Sequence, residues 1–158
     1  MVTIAAELAN EAQQVPVRQL AGVLLKNCVN YTSSEHTNKA WSTVSAQERG
    51  KVKQAMLACL ASPFAQARHT AAQVVAAIGI QELPSNEWPE LIQGLVNNVT
   101  TRGDDFLKQS SLEALGFVCE EVAPHVLESQ SNLILTAVVQ GMRQDEPNTE
   151  VCCLANCP

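Results

Sequence analysis

Apolar residues return along this chain at helical spacing. Val17, Leu20, Ala21, Leu24, Leu25 and Cys28 stand at i, i+3, i+4, i+7, i+8 and i+11, which predicts one broad apolar helix face. Val52, Ala55, Met56, Cys59 and Leu60 repeat the pattern, as do Ala71, Val74, Val75 and Ile78. In "NEWPELIQGLVNNVT", Trp88, Leu91, Leu95 and Val99 fall on one stripe, with Asn86 expected as the cap and Pro89 in the first turn. Trp88 is therefore expected to pack the start of a helix rather than to contact a ligand. No stretch alternates with period two between turn residues, so the predicted class is all-α.

The helices are also self-similar. "RQLAGVLL" from Arg18, "RHTAAQVV" from Arg68 and "KQSSLEAL" from Lys108 each open on a basic residue. A small residue follows three places later (Ala21, Ala71, Ser111) and an aliphatic one seven places later (Leu25, Val75, Leu115). A second set interleaves with them: "VKQAML" from Val52, "LIQGLV" from Leu91 and "ILTAVV" from Ile134. Alternating helices with a period of roughly 40 residues predict a right-handed α-solenoid of HEAT or armadillo-like pairs, about three and a half repeats long. The small residues would let neighbouring second helices approach, and Pro63, Pro84 and Pro124 would fall in connections. On spacing alone a non-repeating helical bundle remains the alternative.

Composition narrows the chemistry. The chain has 158 residues, 46% of them apolar, 16% charged and 4% aromatic, so its core must come mainly from Ala, Val, Leu and Ile. A net charge of -6 without a basic cluster argues against nucleic acid and mildly favours basic partners. "MVTIAAELANEAQQ" lacks the layout of a secretory signal, and no apolar run approaches the roughly 20 residues of a membrane span, so a soluble intracellular protein is expected. The triplets at Asn30 and Asn98 are accordingly read as chance matches to the glycosylation pattern. Cys28, Cys59 and Cys119 are expected singly on apolar helix faces as reduced thiols. Cys152, Cys153 and Cys157 lack a matching second pair, so no metal site is expected. His36, His69 and His125 are scattered, and there is no phosphate-cradling loop, no H-E-x-x-H and no nucleophile elbow. Neither catalysis nor a cofactor is expected.

Four blocks in order, "AGVLLKN" at 21–27, "ELPSNEWPELIQGLVNNVT" at 82–100, "LKQSSLEALGFVCEEV" at 107–122 and "SNLILTAVVQGMRQDEP" at 131–147, closely resemble the importin-β (karyopherin-β) family of nuclear transport receptors. The resemblance runs from about Ala9 to Val151. It implies a HEAT array over 1–151, matching the family's second to fourth repeats and the first helix of the fifth, with a divergent tail over 152–158. The apolar face of the 131–143 helix would then lack its partner, and a soft terminus is expected. A different HEAT scaffold, such as a phosphatase-type assembly subunit, explains the periodicity equally well but not the ordered blocks.

The resemblance implies two activities. Second helices of the family's amino-terminal repeats line the concave surface that binds the small GTPase Ran in its GTP state. Here that surface would be built from the 17–30, 66–80 and 105–121 helices, with Lys26 and Asn27 the leading contacts and Lys108 and Glu113 weaker ones. The family also binds Phe-Gly nucleoporins between adjacent first helices, at positions matching Leu135, Thr136 and Val139. Burying one Phe side chain gains roughly 1.5–3 kcal/mol, far below the roughly 8 kcal/mol of a micromolar complex, so each such pocket must release quickly. Cargo and the importin-α adaptor belong mainly to later repeats and are not expected on this segment. Cytoplasm and nucleus, including the pore, are the implied locations.

Overall fold

The computed structural model describes residues 1–30, 40–101 and 103–141. Among them every regular element is helical: α1 (Val2–Ala9), α2 (Val15–Asn30), α3 (Ala46–Cys59), α4 (Ala65–Glu82), α5 (Leu91–Thr100), α6 (Asp105–Glu121), the single turn α7 (Pro124–Leu127) and α8 (Ser131–Gly141). Short 3-10 turns precede α3 and α8. None of these helices is long and apolar enough to cross a membrane.

Local chemistry sets several of the boundaries. Ser45 caps α3: its hydroxyl accepts from the Glu48 N–H at 3.3 Å and lies against the Glu48 carboxylate, to which it donates at 2.9 Å. Asp104 caps α6 by accepting from the Leu107 N–H at 3.0 Å. The start of α5 departs from the sequence expectation. Its first helical residue is Leu91, so Pro89 lies in the preceding turn and Asn86 is not the cap. Asn86 instead takes φ 56°, the left-handed conformation that Asn tolerates better than most side chains.

The helices form two layers. α1, α3, α5 and α8 are the first helices; α2, α4 and α6 are the second helices, and α2 packs on α4 and α4 on α6. Pairing α1 with α2, α3 with α4 and α5 with α6, then adding α8 against α5, gives the α-solenoid of HEAT repeats. α4 lies between α2 and α6 and buries Ala67, Ala71, Val74, Val75 and Ile78 among others. Ala21, Ala71 and Ser111, the repeated small positions, are all buried.

Where α2 meets α4 the backbones come very close. A Cβ at Gly22 would lie 2.1 Å from the Thr70 methyl and 3.1 Å from a Leu8 methyl. The face that α2 buries is consequently Arg18, Ala21, Gly22, Leu25 and Val29. That corrects the apolar face read from the sequence: Val17, Leu20 and Leu24 lie on the other side, and Leu20 is 60% exposed. Both sides of this helix are apolar, and spacing alone does not say which one meets its neighbour.

The basic residue that opens each second helix is buried as well. Arg18 is fully buried; its Nε donates to the Leu8 carbonyl at 2.7 Å and its guanidinium donates to the Ser62 hydroxyl at 3.1 Å. Arg68 donates to the Ser62 carbonyl at 2.9 Å, and the Ser110 hydroxyl of α6 donates to the Leu60 carbonyl at 2.6 Å. The connection between α3 and α4 thereby ties down all three second helices. Each guanidinium also faces an aromatic ring, Arg18 that of Phe64 at 5.4 Å and Arg68 that of Phe106 at 4.3 Å.

Among the described residues, Cys59 is buried as expected, whereas Cys28 is half-buried and Cys119 exposed. Burial pushes the Cys59 thiol up against the opposing pull of the Arg18 guanidinium.

The close approach of α2 and α4 makes a paired prediction. Gly22→Val should destabilise the fold by about 1–3 kcal/mol through overpacking. Gly94→Ala, at a helical position where an added Cβ meets nothing within 4 Å, should gain about 0.5–1 kcal/mol. Urea unfolding midpoints check both, and a tolerated Gly22→Val would contradict the packing.

Candidate partner-binding face

On the second-helix layer, one row of polar side chains runs across three helices. Lys26 of α2 donates its ammonium to the Gln73 Oε1 of α4 at 2.9 Å. The Gln73 amide nitrogen lies 2.9 Å from the Nε2 of His69, one helical turn away on α4. The other ring nitrogen of His69 contacts the Glu113 carboxylate of α6. Phe117, next along α6, meets the His69 ring edge-on at 5.9 Å between centroids.

The row gathers two of the four residues expected to bind on this layer, Lys26 and Glu113, at its opposite ends. Lys26 is half-buried, Glu113 is mostly covered, and Asn27 is exposed beside Lys26. Lys108 stands apart. It is only 8% exposed, because it occupies the same repeat position as the buried Arg18 and Arg68. Its expected place on an open partner surface is corrected to a place in the packed base of α6. The signal was present in the self-similar segments, where a recurring basic residue marks a structural position.

His69 and Gln73 were not among the expected contacts. Their signal was a polar pair at i and i+4 on a helix otherwise rich in Ala and Val. Asn98 also has an internal role: its amide donates to the Ser111 hydroxyl at 3.1 Å, joining α5 to α6.

On the first-helix layer, α8 packs through Ala137 and Gly141 and leaves Leu135 60% and Val139 63% exposed, one turn apart. Thr136 is exposed beside them, its hydroxyl donating to the Asn132 carbonyl at 2.7 Å. All three expected positions thus lie on open surface. Residues 142–158, which include the Cys-rich tail and the 151/152 boundary, lie outside the described residues.

A second polar cluster occupies a cavity of about 190 Å³ lined by Ala46, Arg49, Lys53, Glu82 and Glu87. Glu82 is buried at the carboxyl end of α4, where the helix dipole disfavours a carboxylate. It accepts from the Trp41 indole at 2.9 Å, Lys53 at 2.8 Å and Arg49 at 3.2 Å. Arg49 also pairs with Glu87, and the Lys53 ammonium lies 4.9 Å from the Trp88 ring centroid. Two cations meet two carboxylates, so the cluster offers no net charge to a ligand. Trp88, 2% exposed, packs as expected.

With the geometry in place, comparison with known proteins is specific. The family model described as the importin-beta N-terminal domain matches residues 2–62. Importin subunit beta-1 of Schizosaccharomyces pombe is 43% identical over 96% of this chain, and that of Arabidopsis thaliana 39% identical over 96%. The chain spans 18% of the length of each. A crystal structure of importin-β is 42% identical and superposes with a TM-score of 0.88 over 98% of this chain and 18% of that one. Kap95p, the yeast importin-β, is 34% identical over 98% of this chain. It has been solved with RanGDP, whose switch loops adopt the GTP-bound conformation (TM-score 0.88, 18% of that chain), and with Nup1 (TM-score 0.84, 19% of that chain).

The two lysines should separate by role. Lys108→Ala should cost about 1–3 kcal/mol of stability, having lost buried contacts, while Lys26→Ala should stay within about 0.5 kcal/mol. Urea unfolding of both variants checks the assignment, and the reverse order would contradict it. Family model, relatives and solved structures agree: over the region they share, this chain is similar to the importin-β family.

Proposed function

We propose that this chain is the amino-terminal HEAT-repeat part of a nuclear import receptor, working by binding and not by catalysis. Its second-helix layer receives Ran in its GTP state, with Lys26, Asn27 and Glu113 as contacts. The observation that carries this reading is the polar row that joins α2, α4 and α6, on a chain whose fold matches that of Kap95p solved with Ran. A row shared by three repeats presents a cation and a carboxylate at fixed separation, which suits a protein partner better than a small ligand. Lys108 drops out as a contact because it is buried.

The exposed Leu135 and Val139 support a second, weaker activity, the binding of Phe-Gly nucleoporins with Thr136 at the rim. One Phe ring on this pair gains only about 1.5–3 kcal/mol, so contacts of this kind are brief and useful in numbers. Shuttling between cytoplasm and nucleus through the pore follows from both activities. Cargo and the importin-α adaptor are assigned to parts of the receptor beyond this segment, and no cofactor is needed.

Retention of Ran on the immobilised chain, compared between GTP-loaded and GDP-loaded forms and beside a Phe-Gly peptide, tests the proposal. GTP-selective retention is expected, and Lys26→Glu should weaken it about tenfold, or about 1.4 kcal/mol. Equal retention of both nucleotide forms, or of neither, would contradict the Ran assignment. Unchanged affinity in Lys26→Glu would remove that residue from the face.

A further inference from the structure

The polar row of the second-helix layer has only one self-consistent arrangement of protons. The Lys26 ammonium carries donors and no acceptor, so the Gln73 atom that faces it at 2.9 Å must be the carbonyl oxygen. The Gln73 amide then points its N–H₂ at the His69 Nε2, 2.9 Å away, which must offer a lone pair. The ring proton is left on Nδ1, where it is donated to the Glu113 carboxylate. Each contact from Lys26 to Glu113 then pairs a donor with an acceptor, and no single member can reverse without breaking a neighbour's bond.

We infer that Gln73 and His69 are positioning residues of this face, through which the hold on Lys26 and the proton state of His69 exclude or permit each other. A second proton on His69 Nε2 would confront the Gln73 N–H₂. The amide would have to turn, which would present N–H₂ to the Lys26 ammonium and break that contact. In the other direction, a partner carboxylate that draws Lys26 away frees the Gln73 oxygen. The amide can then turn to accept from Nε2–H, and His69 takes a proton from solvent beside Glu113. The groups that set this balance are Lys26 from α2, Gln73 on α4 itself and Glu113 from α6, with Phe117 against the ring edge. The partner half of the inference rests on the proposed function of this face; the proton arrangement does not.

Nitrogen-15 NMR of the His69 ring in the full chain reads the tautomer directly. The wild type should show protonated Nδ1 and bare Nε2 in its neutral form. Gln73→Glu, whose carboxylate accepts from both sides, should convert His69 to the doubly protonated ring at the same pH. Lys26→Met, by freeing the amide to accept from Nε2–H, should shift His69 toward the doubly protonated ring, with Nδ1–H still donated to Glu113. A neutral wild-type ring protonated on Nε2, or a ring state unchanged in Gln73→Glu, would overturn the inference. With the His69 side chain about half exposed, these variants are expected to fold, which circular dichroism of each checks. GTP-loaded Ran added to the labelled wild type separates the two readings. Ran binding without any change at His69 overturns the coupling alone. The expected tautomers without Ran binding leave the coupling in place and defeat the Ran assignment.

Discussion

The stretch from Leu60 to Phe64 is where the repeats are joined. Its carbonyls and the Ser62 hydroxyl accept from Arg18 on α2, Arg68 on α4 and Ser110 on α6, so one short connection anchors three successive second helices. A guanidinium removed from water requires acceptors, because burial of an unpaired charge costs far more than any packing gain returns. The fully buried Arg18 therefore fixes its neighbours as firmly as they fix it. Gly22 and the small residues Ala21, Ala71 and Ser111 let the same helices lie close together.

The first-helix layer is joined differently. α1 packs on α3 and α5 on α8, but α3 and α5 make no comparable contact. Between them stand Trp88 and the Glu82 cluster, which link α3 to the end of α4 through Arg49 and Lys53. Tryptophan and ion pairs here do the work that aliphatic packing does elsewhere in the layer. The two joints take up both tryptophans and the aromatic rings that face the buried cations, and neither tryptophan reaches the surface. Outside these joints lie the row from Lys26 to Glu113 on one layer and, among other exposed apolar residues, the pair Leu135 and Val139 on the other.

The helical class, the division into first and second helices and the repeated small positions were all legible in the sequence, because each rests on local periodicity. The paired families read from Val52, Leu91 and Ile134 and from Arg18, Arg68 and Lys108 correspond to α3, α5, α8 and to α2, α4, α6. Three features were not legible, and each depends on packing between distant segments. Both sides of α2 are apolar, so the choice of the Arg18–Gly22–Leu25 side is made by α1 and α4. Lys108 looked like a surface charge until its repeat mates proved to be buried. The role of His69 depends on Gln73 one turn away and on partners 43 and 44 positions distant along the chain, Lys26 and Glu113. Asn86 illustrates a smaller failure: its composition suited a cap, but the turn required a residue that accepts positive φ.

These relations give the solenoid a division of labour in which buried cations hold the repeats in register while the row from Lys26 to Glu113 crosses the second-helix layer. The most direct measurement is a double-mutant cycle between Arg18 and Ser62, with Arg18→Met, Ser62→Ala and the double variant compared by urea unfolding. Their hydrogen bond crosses from one repeat to the next. A coupling energy above about 1 kcal/mol is expected if this contact holds the helices in register, whereas additivity within about 0.3–0.5 kcal/mol would contradict it.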